Sequence, residues 1–404
     1  MRIGVNCWHV QPHTGGVKQY FLALFNQLLT TDTENHYVFF VFPHVISELS
    51  ELASDRWRDQ VIQLDSQAQI RSHIGGLDVY FSPINGLQPL PLPPVPTVIT
   101  MHDIQDRFYP GFFSPGELFY RDWYYVVSCQ VADRIVAVSH FTRQTVAAEY
   151  RLNPDKITVA YTAPDERYRQ AEQVARSPNR TLPETFILYP ANRWPHKNHA
   201  TLLRALRLLR DEHGLSIPLV CTGRDVPGAP SLRELGAQHG VSDLVHDLGY
   251  LDVTEMAYLY RHARALVFPS LFEGFGIPLV EAMAAGCPLA VAHCTSLPEI
   301  AGPAARYFDP QAAPDLAEAI RALWLDADLR QRLIEEGYRR LPLFSAEQMA
   351  RRHLEAFAQA ACSFSRRRYV GNLVIRLPYH LLRVLFKRSA GVYARQPGRS
   401  VKTA

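Results

Sequence analysis

Two carboxylates eight residues apart carry the strongest chemical signal in the chain. They close the run Glu273-Gly274-Phe275-Gly276-Ile277-Pro278-Leu279-Val280-Glu281. The glycines bend the backbone so that a helix can begin against a ligand. Glu273 falls in the loop and Glu281 on the helix, so both can face one ligand rich in hydroxyl donors, such as a sugar nucleotide. Singly, Glu273 also reads as a capping residue and Glu281 as an exposed helix charge. A second cluster is Tyr189-Pro190-Ala191-Asn192-Arg193-Trp194-Pro195-His196-Lys197-Asn198. Arg193 offers a planar fork of donors and Lys197 a point charge, and together they could clamp a diphosphate. The plainer reading is two solvated loop charges. Near the N-terminus, Thr14-Gly15-Gly16-Val17 ends a loop before a helix and allows close backbone approach to an anion. It lacks GxGxxG spacing, which counts against a nicotinamide-dependent dehydrogenase. His102, within Met101-His102-Asp103, is either a reactive-centre group or the cap of a strand end. Asp326-Ala327-Asp328 matches a metal-binding DxD but sits between late helices, and no histidine pair has HExxH spacing. No metal is therefore expected.

Short apolar runs alternating with longer helical patterns position these residues, which is the signature of βαβ units and parallel sheets. Strands are expected at 3–7, 37–42, 79–81, 98–101 and 134–138, with a helix over 16–29. A second block carries strands at 186–189, 218–222, 265–268 and 289–292. Its helices are expected over 199–210, 231–238, 254–261, 277–285 and 314–340. This predicts an α/β chain of two doubly wound domains facing across a cleft. The boundaries are an N-terminal domain 1–164, a polar linker 165–183, a C-terminal domain 184–345, a closing helix 346–362 and a tail 363–404. Ligands in such sheets bind at the carboxyl ends of the strands.

The 404 residues are 47% apolar and 20% charged, which excludes wholesale disorder, collagen and coiled coil. Six scattered cysteines without a CxxC pair speak for a reducing compartment. The N-terminus has no signal-peptide core and no run is long enough to span a bilayer, so the expected place is the cytoplasm. Net charge is +3, yet ten Lys/Arg and no Asp or Glu lie beyond residue 365, leaving 32 Lys/Arg against 39 Asp/Glu elsewhere. In that tail Arg376, His380, Arg383 and Lys387 share one helical face, opposite Leu377, Leu381, Val384 and Leu385. A helix starting about Pro378 and running to Arg388 would lie on an anionic membrane surface. A basic tail without a partner is the alternative. Nucleic acid is not expected, because no nucleic-acid fold appears. Residues 108–125 hold nine aromatics, among them Phe112, Phe113 and Trp123, which read either as core or as an acceptor surface.

With these residues in view, the chain resembles the family 4 (group 1) retaining glycosyltransferases of the GT-B fold, from residue 1 to about residue 357. The markers are Gly15-Gly16, Met101-His102-Asp103, the segment ADRIVAVS at 132–139, Arg193/Lys197, Glu273-(x7)-Glu281 and Ser296-Leu297-Pro298-Glu299. The resemblance implies that Gly16 lends its amide to the donor phosphate and that Arg193 and Lys197 neutralise the leaving diphosphate. It gives Glu281 the ribose hydroxyls, and Glu273 with the amides of Gly274, Phe275 and Gly276 the transferred sugar. His102 would meet that sugar near its C6 hydroxyl, Asp103 would fix the loop, and Pro298 and Glu299 would add backbone contacts. The implied activity is a metal-independent, cofactor-free hexosyltransferase acting at the inner face of the cytoplasmic membrane. It would use a nucleoside diphosphate sugar and a lipid-linked glycan acceptor. The runs YPANRWPHKNH and EGFGIPLVEAMAAG are similar to those of bacterial O-antigen mannosyltransferases, which favours GDP-mannose as donor and O-antigen or lipopolysaccharide assembly as the setting. The rival readings are a sugar-nucleotide epimerase and a non-catalytic glycan-binding or scaffold subunit at the membrane.

Overall fold

Runs such as Val-Ile-Thr-Met and Ala-Leu-Val-Phe are apolar on both faces, so they are stable only as interior strands covered by helices on either side. The computed structural model bears this out. It describes residues 1–11, 15–90, 94–226, 228, 230–389 and 392, with the backbone alone for Asp59. Thr14 of the first glycine loop and Arg395, Arg399 and Lys402 of the tail lie outside the described residues. The chain divides into two compact units. Among the described residues, one is Met1–Ala163 with the chain from Ser345 to residue 392, and the other is Pro164–Phe344.

The first unit is built on β1 (Arg2–Asn6), β2 (His36–Val41), β3 (Val61–Gln63), β4 (Val79–Ser82), β5 (Thr97–Met101), β6 (Arg134–Ala137) and β7 (Ile157–Val159). They form one parallel sheet in the order β3-β2-β1-β4-β5-β6-β7. The second unit carries β8 (Ile187–Pro190), β9 (Leu219–Thr222), β10 (Val245–Asp247), β11 (Ala265–Phe268), β12 (Leu289–Ala292) and β13 (Ala305–Phe308). Its parallel sheet is ordered β10-β9-β8-β11-β12-β13. Each sheet therefore reverses its winding once, between β1 and β4 and between β8 and β11. At such a switch point neighbouring loops diverge and leave a crevice at the strands' carboxyl ends.

Two expectations need correction. The stretch 165–183 is not a free linker. It contains the helices Glu166–Arg169 and Ala171–Val174 and belongs to the second unit. Asp165 caps the first of these through the Arg167 amide, and Tyr168 is buried with its ring 5.5 Å from that of Tyr260. Ala171 is buried beside it, and Arg176 ties the segment to Asp252, so a few contacts dock a stretch that has no apolar period. The helix Ala346–Ser363 returns the chain to the first unit, against the helix Gly16–Thr31 and β6. The tail helix spans Leu377–Ser389, close to the expected limits, but its faces are not arranged as expected. His380 is buried and Lys387 pairs with Asp122 at 2.7 Å, whereas Leu381 and Leu385 are exposed. All six cysteines are free thiols. Among the described residues no helix is long and apolar enough to cross a membrane.

Candidate functional site

The second unit places its chemistry on both sides of the switch point. After β8 the chain turns through Asn192–Asn198, and after β11 through Ser270–Gly276. Lys197, from the first loop, bridges to Glu273, from the second, at 2.5 Å between Nζ and Oε1. Both are partly exposed, so neither charge carries the full cost of burial. The Lys197 ammonium also lies 5.5 Å from the centre of the Phe268 ring. Backbone ties hold the two loops together. The Leu271 amide donates to His196 O at 2.7 Å, and Asn198 Nδ2 donates to Pro269 O and Pro310 O at 3.0 and 2.8 Å. Asn198 does this in the left-handed region (φ 59°) that asparagine tolerates better than most residues.

Arg193 is placed differently from Lys197. It is 4% exposed and donates to Ala191 O and Thr222 O, both at 3.2 Å, and to the Asp247 carboxylate at the end of β10. Its charge is committed to the β9–β10 side, so it braces three loops while Lys197 faces β11. The two cations expected to act as one clamp point to opposite sides of β8.

Glu273 lies outside the helix that follows. The N-cap of Ile277–Ala285 is Gly276, at φ 96°, and no side chain caps it. A Cβ there would sit 2.8 Å from Leu297 in a region closed to most L residues, so the position requires glycine. No acidic residue occupies that helix's first turn, so its positive dipole end is left for an outside anion, although Pro278 has no N–H and the Leu279 amide already donates to Gly276 O at 3.0 Å. Phe275 is buried and packs its ring edge on Phe344.

The loop after β12 clamps this turn. Thr295 Oγ1 accepts from the Glu273 amide at 3.2 Å, and Ser296 Oγ bonds Glu273 O and Phe275 O at 3.0 and 3.2 Å. Thr295 adopts φ 53°, uncommon for a β-branched residue. Pro298 and Glu299 fall in the helix Leu297–Ala301, and Arg340 holds its end by donating to Glu299 O and Ile300 O. The residue pattern singled out the Ser296–Glu299 segment without showing that Ser296 and Thr295 lock Glu273. Asp247 and Tyr260 carried no signal in the sequence.

Glu281 is buried rather than exposed, at 9% accessibility. Its Oε2 accepts from Tyr260 Oη at 2.7 Å. Burial pushes the carboxyl up to about 7, the Tyr260 hydrogen bond pulls it back, and the charge of Asp165 adds to the rise.

The first unit has a parallel arrangement. Gly15, at φ 38°, precedes the helix Gly16–Thr31, which has no side-chain cap and no acidic residue in its first turn. The loop after β5 is tied to the loop after β4. His102 donates its amide to Asn85 Oδ1 at 2.6 Å, and its Nε2 meets Pro83 O at 2.9 Å. A carbonyl only accepts, so Nε2 carries the proton and Nδ1 is the ring's acceptor. Burial lowers the His102 pKa below its ordinary value, opposed by the Pro83 hydrogen bond and the charge of Asp103. Asp103 fixes the loop by accepting from the Gln105 amide. Tyr20 sets its ring edge 4.9 Å from the His102 ring and joins Thr100 and His353 through its hydroxyl, at 2.7 and 2.5 Å. His353 belongs to the returning helix, which is thereby pinned beneath His102. In the aromatic segment Tyr124 is buried, Phe113 and Trp123 are half-buried and Phe112 is exposed. The DxD match is structural at its first position, since Asp326 Oδ1 caps the helix Ala327–Arg340 through the Leu329 amide.

Two all-parallel, doubly wound units, each with an uncapped glycine-led helix at its switch-point edge, define the GT-B class of glycosyltransferases. Residues 171–340 match the family model described as glycosyl transferases group 1, and residues 54–168 that of glycosyltransferase family 4. The chain belongs to these glycosyltransferases. It is 29% identical over 269 residues to an O-antigen chain mannosyltransferase B of Escherichia coli, covering 64% of this chain and 69% of that one. It is 29% identical over 223 residues to an O-antigen chain mannosyltransferase of Salmonella typhimurium, covering 55% of this chain and 59% of that protein's length. The fold is similar to that of Anabaena HepE solved with UDP-glucose. The TM-score is 0.64 at 16% identity, over 89% of this chain and 99% of that one.

Proposed function

We propose that this chain transfers mannose from GDP-mannose to a hydroxyl of a growing, lipid-linked surface polysaccharide, with retention of anomeric configuration and without a metal. The Lys197–Glu273 bridge across the β8/β11 switch point carries the reading. It sets a cation and a sugar-hydroxyl acceptor side by side, next to the positive dipole end of the Ile277–Ala285 helix. The names of the mannosyltransferase relatives support the choice of sugar and acceptor.

Cleaving a sugar–phosphate bond builds positive charge on the ring and negative charge on the departing diphosphate. Fixed donors aimed at the diphosphate stabilise that separation, by about 3 kcal/mol for each well-placed one. Lys197 and the amides of Gly274, Phe275 and Gly276 supply these donors. Arg193 acts one step back, holding the loops that carry them. Glu273, once Lys197 turns to the diphosphate, accepts hydroxyls of the sugar, and Glu281 accepts those of the ribose. In the first unit His102, neutral near pH 7, offers Nδ1 as an acceptor. No carboxylate stands out as a nucleophile, so the leaving phosphate is the base that takes the acceptor's proton on the front face.

A thermal-shift panel of UDP, GDP, ADP and CMP tests the donor. A nucleotide at a hundred times its Kd stabilises the native chain by about 2.7 kcal/mol. A shift with GDP and transfer from GDP-mannose in the presence of EDTA supports the proposal. A shift with UDP alone overturns the mannose assignment. No shift with any nucleotide favours the scaffold reading.

A further inference from the structure

A helix on a protein surface ordinarily buries its apolar side and shows its charges to water. The C-terminal helical stretch buries only part of its apolar surface: Tyr369, Leu373 and Leu377 line a cavity with Leu87, Leu90 and Val131, and a second apolar row faces outward. Arg366–Gly371, Asn372–Arg376 and Leu377–Ser389 follow one another without a break and lie against the helix Pro115–Val131. Polar groups anchor them there. Arg368 bridges to Asp133 at 2.8 Å, Asn372 Nδ2 donates to Val131 O at 3.3 Å, and Lys387 pairs with the buried Asp122. Only His380 and Val384 of this stretch are fully buried.

The opposite side is apolar and open. Of the sixteen exposed large hydrophobic side chains among the described residues, eight fall between 370 and 386. Ile375, Leu382 and Phe386 are 68%, 67% and 74% exposed. Leu382 and Phe386 stand one turn apart, and Tyr379 and Leu385 widen the band. So concentrated an apolar surface on a soluble chain marks an interaction site. Its borders say what kind. Arg366, Arg367 and Arg383 are exposed, and no acidic residue occurs from 366 to the chain's end. An apolar stripe edged by arginines fits the boundary between acyl chains and anionic headgroups. A second copy of the chain would set arginines against arginines.

We propose that residues 366–389 dock this chain on an anionic bilayer. Ile375, Tyr379, Leu382 and Phe386 enter the acyl boundary, and Arg366, Arg367 and Arg383 meet the headgroups. The polar anchors bind the first unit to the helix, not the helix to the membrane. Of the basic face that the spacing implied, Arg383 stays on the membrane side, whereas His380 and Lys387 turn to the first unit.

The test is co-sedimentation of the full chain with phosphatidylcholine vesicles, with and without phosphatidylglycerol. Binding is expected only with the anionic lipid. Each of Arg367→Gln and Arg383→Gln should weaken it about fivefold, and Ile375→Ser with Phe386→Ser at least about tenfold. These side chains face solvent, so the melting temperature should be unchanged. Sedimentation velocity without lipid supplies the second readout. No binding to either vesicle, or binding that the substitutions leave intact, overturns the proposal. A dimer that Phe386→Ser dissolves also overturns it, in favour of a self-association surface. None of these outcomes depends on which sugar is transferred.

Discussion

Replacing Glu281 with Gln removes a charge that the fold holds at a cost, and the cost is measurable. The carboxyl sits at about 7 in the folded chain against an ordinary 4.5, chiefly because it is buried. At 1.36 kcal/mol per pKa unit, the difference is about 3 kcal/mol. The unfolded chain releases this proton near 4.5, whereas the folded chain keeps it to about 7. Between those values the native state binds the extra proton. Stability is therefore full below the lower value, falls as pH rises through the window and is flat above it. Gln keeps an acceptor for Tyr260 Oη and never ionises. The variant should match the parent near pH 4.5 and exceed it by about 3 kcal/mol near pH 8. Urea denaturation at the two pH values measures both numbers. Donor affinity should move the other way, falling about tenfold as a charged acceptor for hydroxyls becomes a neutral one. Such opposition is expected where a binding group is kept at the expense of stability. A stability difference that is the same at both pH values would refute the burial argument. Unchanged donor affinity in the more stable variant would refute Glu281's role at the site.

Lys197→Met should cost about a hundredfold in transfer rate with little loss of stability, because the Lys197–Glu273 bridge is partly exposed; steady-state kinetics and a melt decide it. His102→Gln should lower kcat while leaving GDP affinity within about threefold, since His102 lies in the unit that does not carry the Lys197–Glu273 loops; a large loss of GDP affinity would contradict this. Asp122→Asn should destabilise the first unit by about 3 kcal/mol, for it removes the buried charge that Lys387 pairs with and one of the two carboxylates that face Arg107. Burial alone would raise the Asp122 pKa, but Arg107 and Lys387 outweigh it and hold it at about 2. That contribution is present above about 3.8 and disappears as pH falls toward 2, so parent and variant should converge in acid.

The interior strands of both sheets were legible in the sequence because each is apolar on both faces. The four that escaped notice, β3, β7, β10 and β13, are the four sheet edges. An edge strand has a neighbour on one side only and is partly exposed, as at Val61–Gln63 and Val245–Asp247, so it needs no continuous apolar run. The glycines and charges of the candidate site were legible for a related reason. A bend such as Gly276 is dictated by local backbone geometry, and a loop that meets an anion shows its charges in the residue types themselves. What a charge pairs with is another matter. That Lys197 turns to Glu273 and Arg193 to Asp247 depends on which strands lie side by side, and strand order is a property of the sheet. The same holds for Glu281, whose raised pKa comes from what packs around it, and for the tail. Residue spacing defined the two sides of the C-terminal helix. Distant partners, among them Asp122, 265 residues before Lys387, decided which side turns inward. Local pattern encodes periodicity and bends, whereas partners and burial come from contacts between distant segments.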